Sequence, residues 1–505
     1  MDYSIKVSRL LLDCEKNGTA PEYGSSKIFL SCQGKDVFIV SDLHLTVEPD
    51  YMHRTNYTAD KPEDDLSFVK FLDYIRDKTP PGKGMLIING DFIDFLRIIA
   101  IPESEDDFYQ WQNILKKIGV EKDLSLLKSS ISKREIRYGL NTSDYKSVWK
   151  LNLVVQEHQS IFFALTQWLG EGNSLIIIKG NHDLEFYWPA VRNFLRLYFA
   201  ESLSLQKIKG LEDVLLEGVL SKIHFIDDTL ILDNMYYIEH GHKYDKLCHC
   251  IGGPVLKNKE ELNIPFGSFF NRYLFNHIEI AHPPFKHVRE KKNILPLLIE
   301  KRFFVGIKAL LQHIPVLFLI IPMRYYRYLF GRVLLIGLTI FLPVLYLIDK
   351  FWNIVEPVGM KLDSIEQPRL TISKYFKIPG ANTIENMIFS FLSFAISSSS
   401  AYMNLEEHSR LDQFARKKLA ENTQLKLVTF GHTHHAASFE ENGRSFYNTG
   451  AWFPIPDEDK SNPQNNFTYL QIKSSNSEND HSAGMFLKWY GNLRVPPEPV
   501  KKSPQ

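Results

Sequence analysis

The stretch KDVFIVSDLHL, residues 35–45, is a short β-branched and aromatic run that stops abruptly in a polar turn. Such a run reads as a buried strand feeding a loop, and Asp42 and His44 stand just past its C-terminal end. Four more stretches repeat this grammar: GMLIING (84–90) before Asp91, NSLIIIKG (173–180) before Asn181, His182 and Asp183, NMYYIEHGH (234–242) ending at His240 and His242, and LKLVTF (425–430) before GHTHH (431–435). Polar residues at the C-terminal ends of apolar strands mark the ligand-binding edge of an α/β sheet fold, so an α/β class is expected. Helical periodicity separates the strands. Phe68, Phe71, Leu72 and Ile75 predict a helix over Ser67–Asp77, and residues 103–168 read as a helical excursion longer than a crossover requires.

The residues past these strands form a ligand inventory: Asp42, His44, Asp91, Asn181, His240, His432 and His434. Oxygen and imidazole donors together suit Mn²⁺ first, with Fe or Zn²⁺ as alternatives. Alternate residues of an extended chain point to one side, which gives D-x-H and H-x-H a geometric reason. Two ions about 3.5–4 Å apart need a bridging carboxylate, and Asp91, alone after Gly90, fits that place. Gly90, Gly180 and Gly431 would let backbone approach the ions closely.

The full motif order, D-x-H, GD, GNH(D/E), H and GHxH, resembles the calcineurin-like metallophosphoesterases over about residues 36–250 and 422–490. The resemblance implies a four-layered α/β/β/α sandwich, here with a large helical insertion. It also implies one ion on Asp42, His44, Asp91 and His434 and another on Asp91, Asn181, His240 and His432. His182 matches the family's catalytic histidine, with Asp183 expected to orient it. A metal-bridged hydroxide would attack phosphorus while His182 assists the leaving group. A narrower likeness runs to the UDP-2,3-diacylglucosamine pyrophosphatases, through SDLHL, GDFIDF, the HG pair at His240, GHTH and NTGAW. That group is shorter and carries arginine where this chain has His182. The expected substrate is accordingly a phosphoester or pyrophosphate, lipid-linked or nucleotide. A nuclease or cyclic-nucleotide phosphodiesterase is the alternative on the same fold, and a non-catalytic scaffold the third reading.

At 505 residues the chain exceeds one compact core. The catalytic domain is expected over 36–251 and 422–490, an apolar helical insertion over 252–421, and a disordered proline-rich tail over 493–505. Lysines and arginines number 59 against 59 acids, so no overall charge pulls the chain toward nucleic acid or anionic lipid, and no nucleic-acid partner is expected. Four cysteines make no disulfide framework, and Cys248 and Cys250 read as ordinary helix residues. No secretory leader is read, so a cytoplasmic location is expected. Within the insertion, Ile314–Ile321 and Val333–Ile348 flank MRYYRYLFGR (323–332) and fall short of the roughly twenty residues a span needs. The expectation is a peripheral or monotopic membrane contact over 311–348. His240 precedes the insertion and His432 follows it, so any crossing must be even in number.

Overall fold

The computed structural model describes residues 26–47, 63–205, 218–257, 260–281, 408–453, 466–474 and 484–500, with isolated positions between 305 and 325. In chain order the elements are β1 (Lys27–Leu30), β2 (Asp36–Val40), α1 (Glu63–Lys78), β3 (Gly84–Asn89), α2 (Glu105–Lys117), α3 (Leu124–Ser129), α4 (Lys133–Tyr138), α5 (Asp144–Glu157), α6 (Gln159–Gly170) and β4 (Ser174–Ile178). There follow α7 (Pro189–Leu205), β5 (Ile223–Ile226), β6 (Thr229–Leu232), β7 (Tyr236–Glu239), α8 (Phe266–Phe270), α9 (Asn276–Ala281) and α10 (His408–Glu421). The chain closes with β8 (Leu427–Phe430), β9 (Ala436–Glu441), β10 (Arg444–Thr449), β11 (Thr468–Ile472), β12 (Met485–Lys488) and β13 (Glu498–Pro499). All five strands read from the sequence are present, as β2, β3, β4, β7 and β8.

The protein is mixed α/β with two mixed sheets. One runs β13-β12-β11-β2-β3-β4-β5, with β2 to β5 parallel. The other runs β1-β6-β7-β8-β10-β9, with β7, β8 and β10 parallel. Alternation along the strands decides what each face buries. Val37 and Ile39 of β2, Met85 and Ile87 of β3 and Ile176 and Ile178 of β4 share a core with Leu230, Leu232, Ile238 and Leu427 of the second sheet. Phe38, Val40, Leu86, Ile88, Leu175 and Ile177 turn the other way, into a core with α1, α5, α6 and α7. The outer face of the second sheet, Ile231, Tyr237, Val428, Phe430 and Phe446, is covered by Leu411, Ala415 and Leu419 of α10. Residues 105–170 form five helices, as the helical excursion predicts. Two of them open on capping boxes: the Ser104 hydroxyl accepts the Asp107 N–H while Asp107 accepts the Ser104 N–H, and Ser132 and Glu135 do the same.

Three boundaries need correction. The body begins before residue 36, because β1 pairs with β6. The separate compact unit is Ile321–Glu407, narrower than the 252–421 expected. Helix α10 buries its apolar stripe on the second sheet, and Asn276 Nδ2 donates to the Leu96 carbonyl at 2.7 Å, so both flanks pack with the two-sheet body. The tail expected over 493–505 is structured through Val500: β13 pairs with β12, and the Val500 N–H donates to Phe486 O at 3.0 Å. Pro499 is tolerated there because an edge strand leaves one side unpaired. Among the described residues no helix is long and apolar enough to cross a membrane. Apart from a few positions, the apolar runs of 311–348 lie outside the described residues, as do 501–505.

Candidate metal centre

The parallel strands β2, β3 and β4 of one sheet and β7 and β8 of the other end where the expected ligands begin. The chain then turns sharply. Asp42, His44, Asp91, His432 and His434 all have positive φ, between 51° and 70°. Such values cost a non-glycine residue of order 1–3 kcal/mol and persist where the surroundings impose them. Here the imposition is a ladder of backbone bonds between loops. Asp42 N donates to Gly90 O (3.1 Å), His44 N to Asp91 O (2.9 Å), Leu45 N to Phe92 O (3.0 Å), and Gly431 N to His240 O (3.0 Å). A Cβ on Gly90 would enter the His240 ring, and one on Gly180 would enter the Asp91 carboxylate, so both glycines answer to close approach.

The donors converge in two groups that share Asp91. In the first, His44 Nε2 lies 3.0 Å from His434 Nε2, 3.6 Å from Asp91 Oδ2 and 3.8 Å from Asp42 Oδ1, and His434 Nε2 lies 3.4 Å from Asp42 Oδ1. Ligand bonds of about 2.1 Å set neighbouring donors about 3.0–3.4 Å apart, so these spacings fit an ion with small adjustments. In the second, His240 Nε2 lies 3.2 Å from the same Asp91 Oδ2, and His432 completes the group. Asp91 Oδ1 accepts the His182 N–H at 2.9 Å, which turns Oδ2 toward both groups. Asn181 lies between Gly180 and His182, both of which abut Asp91.

Asp42 Oδ1, Asn181 Oδ1 and His240 Nε2 are buried without a hydrogen-bond partner among the described residues. Leaving such atoms unmade costs about 1–3 kcal/mol each, more when charged, which a bound cation would recover. The residues present therefore fit a metal ion, held by aspartate and histidine. Electrostatics agree. Burial opposes the charged form of Asp91, yet the imidazoles of His240 and His182 hold its carboxyl well below the usual range. Burial likewise opposes the His240 cation, but Asp91 and Asp42 push its pKa up to about 10. Carboxylates and imidazoles thus stabilise each other's charges across the site.

Asp183 does not take the orienting place expected of it. Its carboxylate accepts the N–H groups of Gly180 (2.6 Å) and Phe92 (2.8 Å), tying the turn after β3 to the turn after β4. These donors would otherwise be buried unpaired. Burial and then the Asp91 charge push its pKa up to about 7. The carboxylate that meets the His182 ring is Asp94, with Nδ1 to Oδ1 at 2.9 Å, and its Oδ2 lies 3.5 Å from His44 Nδ1. Burial works against the His182 cation, but Asp94 and Asp91 push its pKa up to about 9. Asp94 is 3% exposed. The D-x-x-D spacing from Asp91 was the available signal. Asn448 braces the last turn: its Nδ2 donates to Gly431 O (2.8 Å) and to Thr433 Oγ1 (3.0 Å). Phe453, which no motif marked, stands edge-on to His44 and His434 at centroid distances of 5.6 and 5.1 Å.

A scan of protein-family models finds none that matches this chain, and no curated protein matches it.

Proposed function

We propose that the protein is a dinuclear-metal phosphoester hydrolase built as a four-layered α/β/β/α sandwich of the calcineurin-like kind. The layering is supported by the three cores: helices against the first sheet, sheet against sheet, and α10 against the second sheet. The chemistry rests above all on one observation. Two donor groups meet at the single oxygen Asp91 Oδ2, with unpartnered buried atoms on either side of it.

In this reading Asp42, His44, Asp91 and His434 hold one divalent ion and Asp91, Asn181, His240 and His432 the other, with Mn²⁺ favoured by the thiol-free donor set. When bound, such a pair supplies Lewis acidity at a phosphoryl group and a nucleophile at neutral pH. The protein's own part is positioning and proton delivery. Asp94 holds the His182 ring through Nδ1 and raises its proton affinity, which suits the ring to donate a proton to a leaving oxygen. Asp183 holds the two turns that present Asp91 and His182. The substrate is a phosphoester or phosphoanhydride, and its lipid-linked or nucleotide subclass rests on motif likeness alone.

The test pairs metal analysis with hydrolysis of p-nitrophenyl phosphate and bis-p-nitrophenyl phosphate in Mn²⁺. Co-purification or uptake of about two ions per chain with metal-dependent turnover is expected. Stoichiometric metal without turnover on any phosphoester would favour a binding scaffold instead.

A further inference from the structure

Beside the centre, the loop after β7 carries a second ligand constellation. Asp245, Cys248 and His432 bring a carboxylate oxygen, a thiol sulfur and a ring nitrogen within 4.8 Å of one another. The backbone builds this placement. Gly241 turns the chain at φ 102°, a single 3-10 turn covers His242–Tyr244, and the Cys248 N–H donates to the Asp245 carbonyl at 3.1 Å. An i to i+3 turn of this kind sets the two side chains on one side. Asp245 Oδ1 is occupied by the Leu247 N–H at 2.8 Å, which leaves Oδ2 facing His432 Nε2 at 3.3 Å. A tetrahedral ion with bonds of about 2.0–2.2 Å to nitrogen and oxygen spaces that pair of donors about 3.3–3.6 Å apart. Cys248 is in a turn rather than in the helix expected from sequence, and it forms no disulfide. Cys250 points elsewhere, its thiol donating to the Asn263 carbonyl at 2.9 Å.

We infer that Asp245, Cys248 and His432 form an accessory site for a soft divalent cation, Zn²⁺ or Co²⁺, adjoining the oxygen- and nitrogen-lined centre. Thiolate selects such ions over Mn²⁺ and Mg²⁺. Binding converts the Cys248 thiol to thiolate, its proton passing to solvent, and leaves a fourth position for water. The three side chains are neither deep nor fully open: Asp245 and His432 side chains are each 10% exposed, and Cys248 is half-buried. Because His432 belongs to both groups, ion occupancy here bears on the main centre. The inference rests on the proposed function only through that shared residue.

Co²⁺ titration of the full chain tests it by absorption. The wild-type protein is expected to develop a near-ultraviolet thiolate-to-cobalt charge-transfer band. Cys248→Ser should lose the band, and Asp245→Asn should raise the Co²⁺ needed by about 10-fold or more, the scale of a lost group around a metal. Asp91→Ala should keep it, since Asp91 is outside this group. No band in the wild type, a band that survives Cys248→Ser, or one that vanishes in Asp91→Ala overturns the inference. Absence of phosphoesterase activity in a wild-type protein that shows the band would count against the proposed function alone.

Discussion

The side of the centre holding Asp42, His44 and His434 hangs from a dense ladder of loop-to-loop backbone bonds. His44, Leu45 and Asp94 interlock with the turn after β3, and the Trp452 N–H closes onto Asp42 O at 3.1 Å. The side holding His240 and His432 is tied more lightly. His240 Nδ1 meets Asn89 O at 2.8 Å and Asn448 braces the final turn, while His432 also reaches Asp245. The first side offers carboxylate and imidazole donors held by backbone bonds; the second offers a histidine that two neighbouring groups can use. The first side is thus fixed mainly by backbone bonds between the loops after β2 and β3, and the second mainly by bonds to side chains.

The sharpest way to break this comparison is at the residue both sides share. Asp91→Asn is expected to lower metal-dependent phosphoester turnover by at least about 10³-fold, the scale of several kcal/mol of charge stabilisation at phosphorus. Metal analysis of the same variant should show depletion; full metal content with full activity would remove Asp91 from the bridging role.

On the first side, His182→Ala should cost about 10²-fold in kcat with metal content kept. Asp94→Asn should cost about 10-fold or more and carry a distinct signature. The Asp94 charge raises the proton affinity of His182, so its removal must move the alkaline limb of the pH–rate profile to lower pH. A profile that scales down without shifting would make Asp94 merely structural.

Gly180→Ala probes the packing between loops. A Cβ there meets the Asp91 side chain and backbone, so thermal unfolding of the metal-free protein should show a loss of about 1–3 kcal/mol. Unchanged stability would mean the turn relaxes freely.

The smallest effect concerns pH. His240 is raised to about 10 by its carboxylate neighbours, and a metal must displace that proton. Metal affinity should rise by up to about tenfold per pH unit below that value. The metal-free protein behaves oppositely. A raised histidine pKa stabilises fully below about 6.5 and loses its contribution as pH climbs toward 10. The depressed Asp91 pKa stabilises above about 3.9 and loses its contribution in acid. Metal-free stability from this pair therefore peaks at about pH 4–6.5. The extra stability given by Mn²⁺ in unfolding scans should be small in acid and widen as pH rises; a gap that does not change with pH would contradict the linkage.

Much of this was legible in the chain. Five strands could be read because fully buried strands are apolar without interruption, and the ligand turns follow them directly. Several other strands escaped. β1 shows a half-exposed pattern, eiei, and its partner β6 is some 200 residues on, so no local signal ties them. β13 is two residues in a proline-rich context that composition assigns to disorder.

The sequence by itself determined the chemistry of the donors, because residue type and the abrupt strand-to-turn switch are local properties. Tertiary structure decided the partnerships. Asp94 rather than Asp183 meets His182 across 88 residues, since both oxygens of Asp183 are consumed by backbone donors of neighbouring turns. Asp245 and Cys248 meet His432 only because β7 and β8 lie side by side. Which carboxylate faces which imidazole depends on how distant loops are stacked, and that is set by sheet order and buried hydrogen bonds rather than by spacing along the chain.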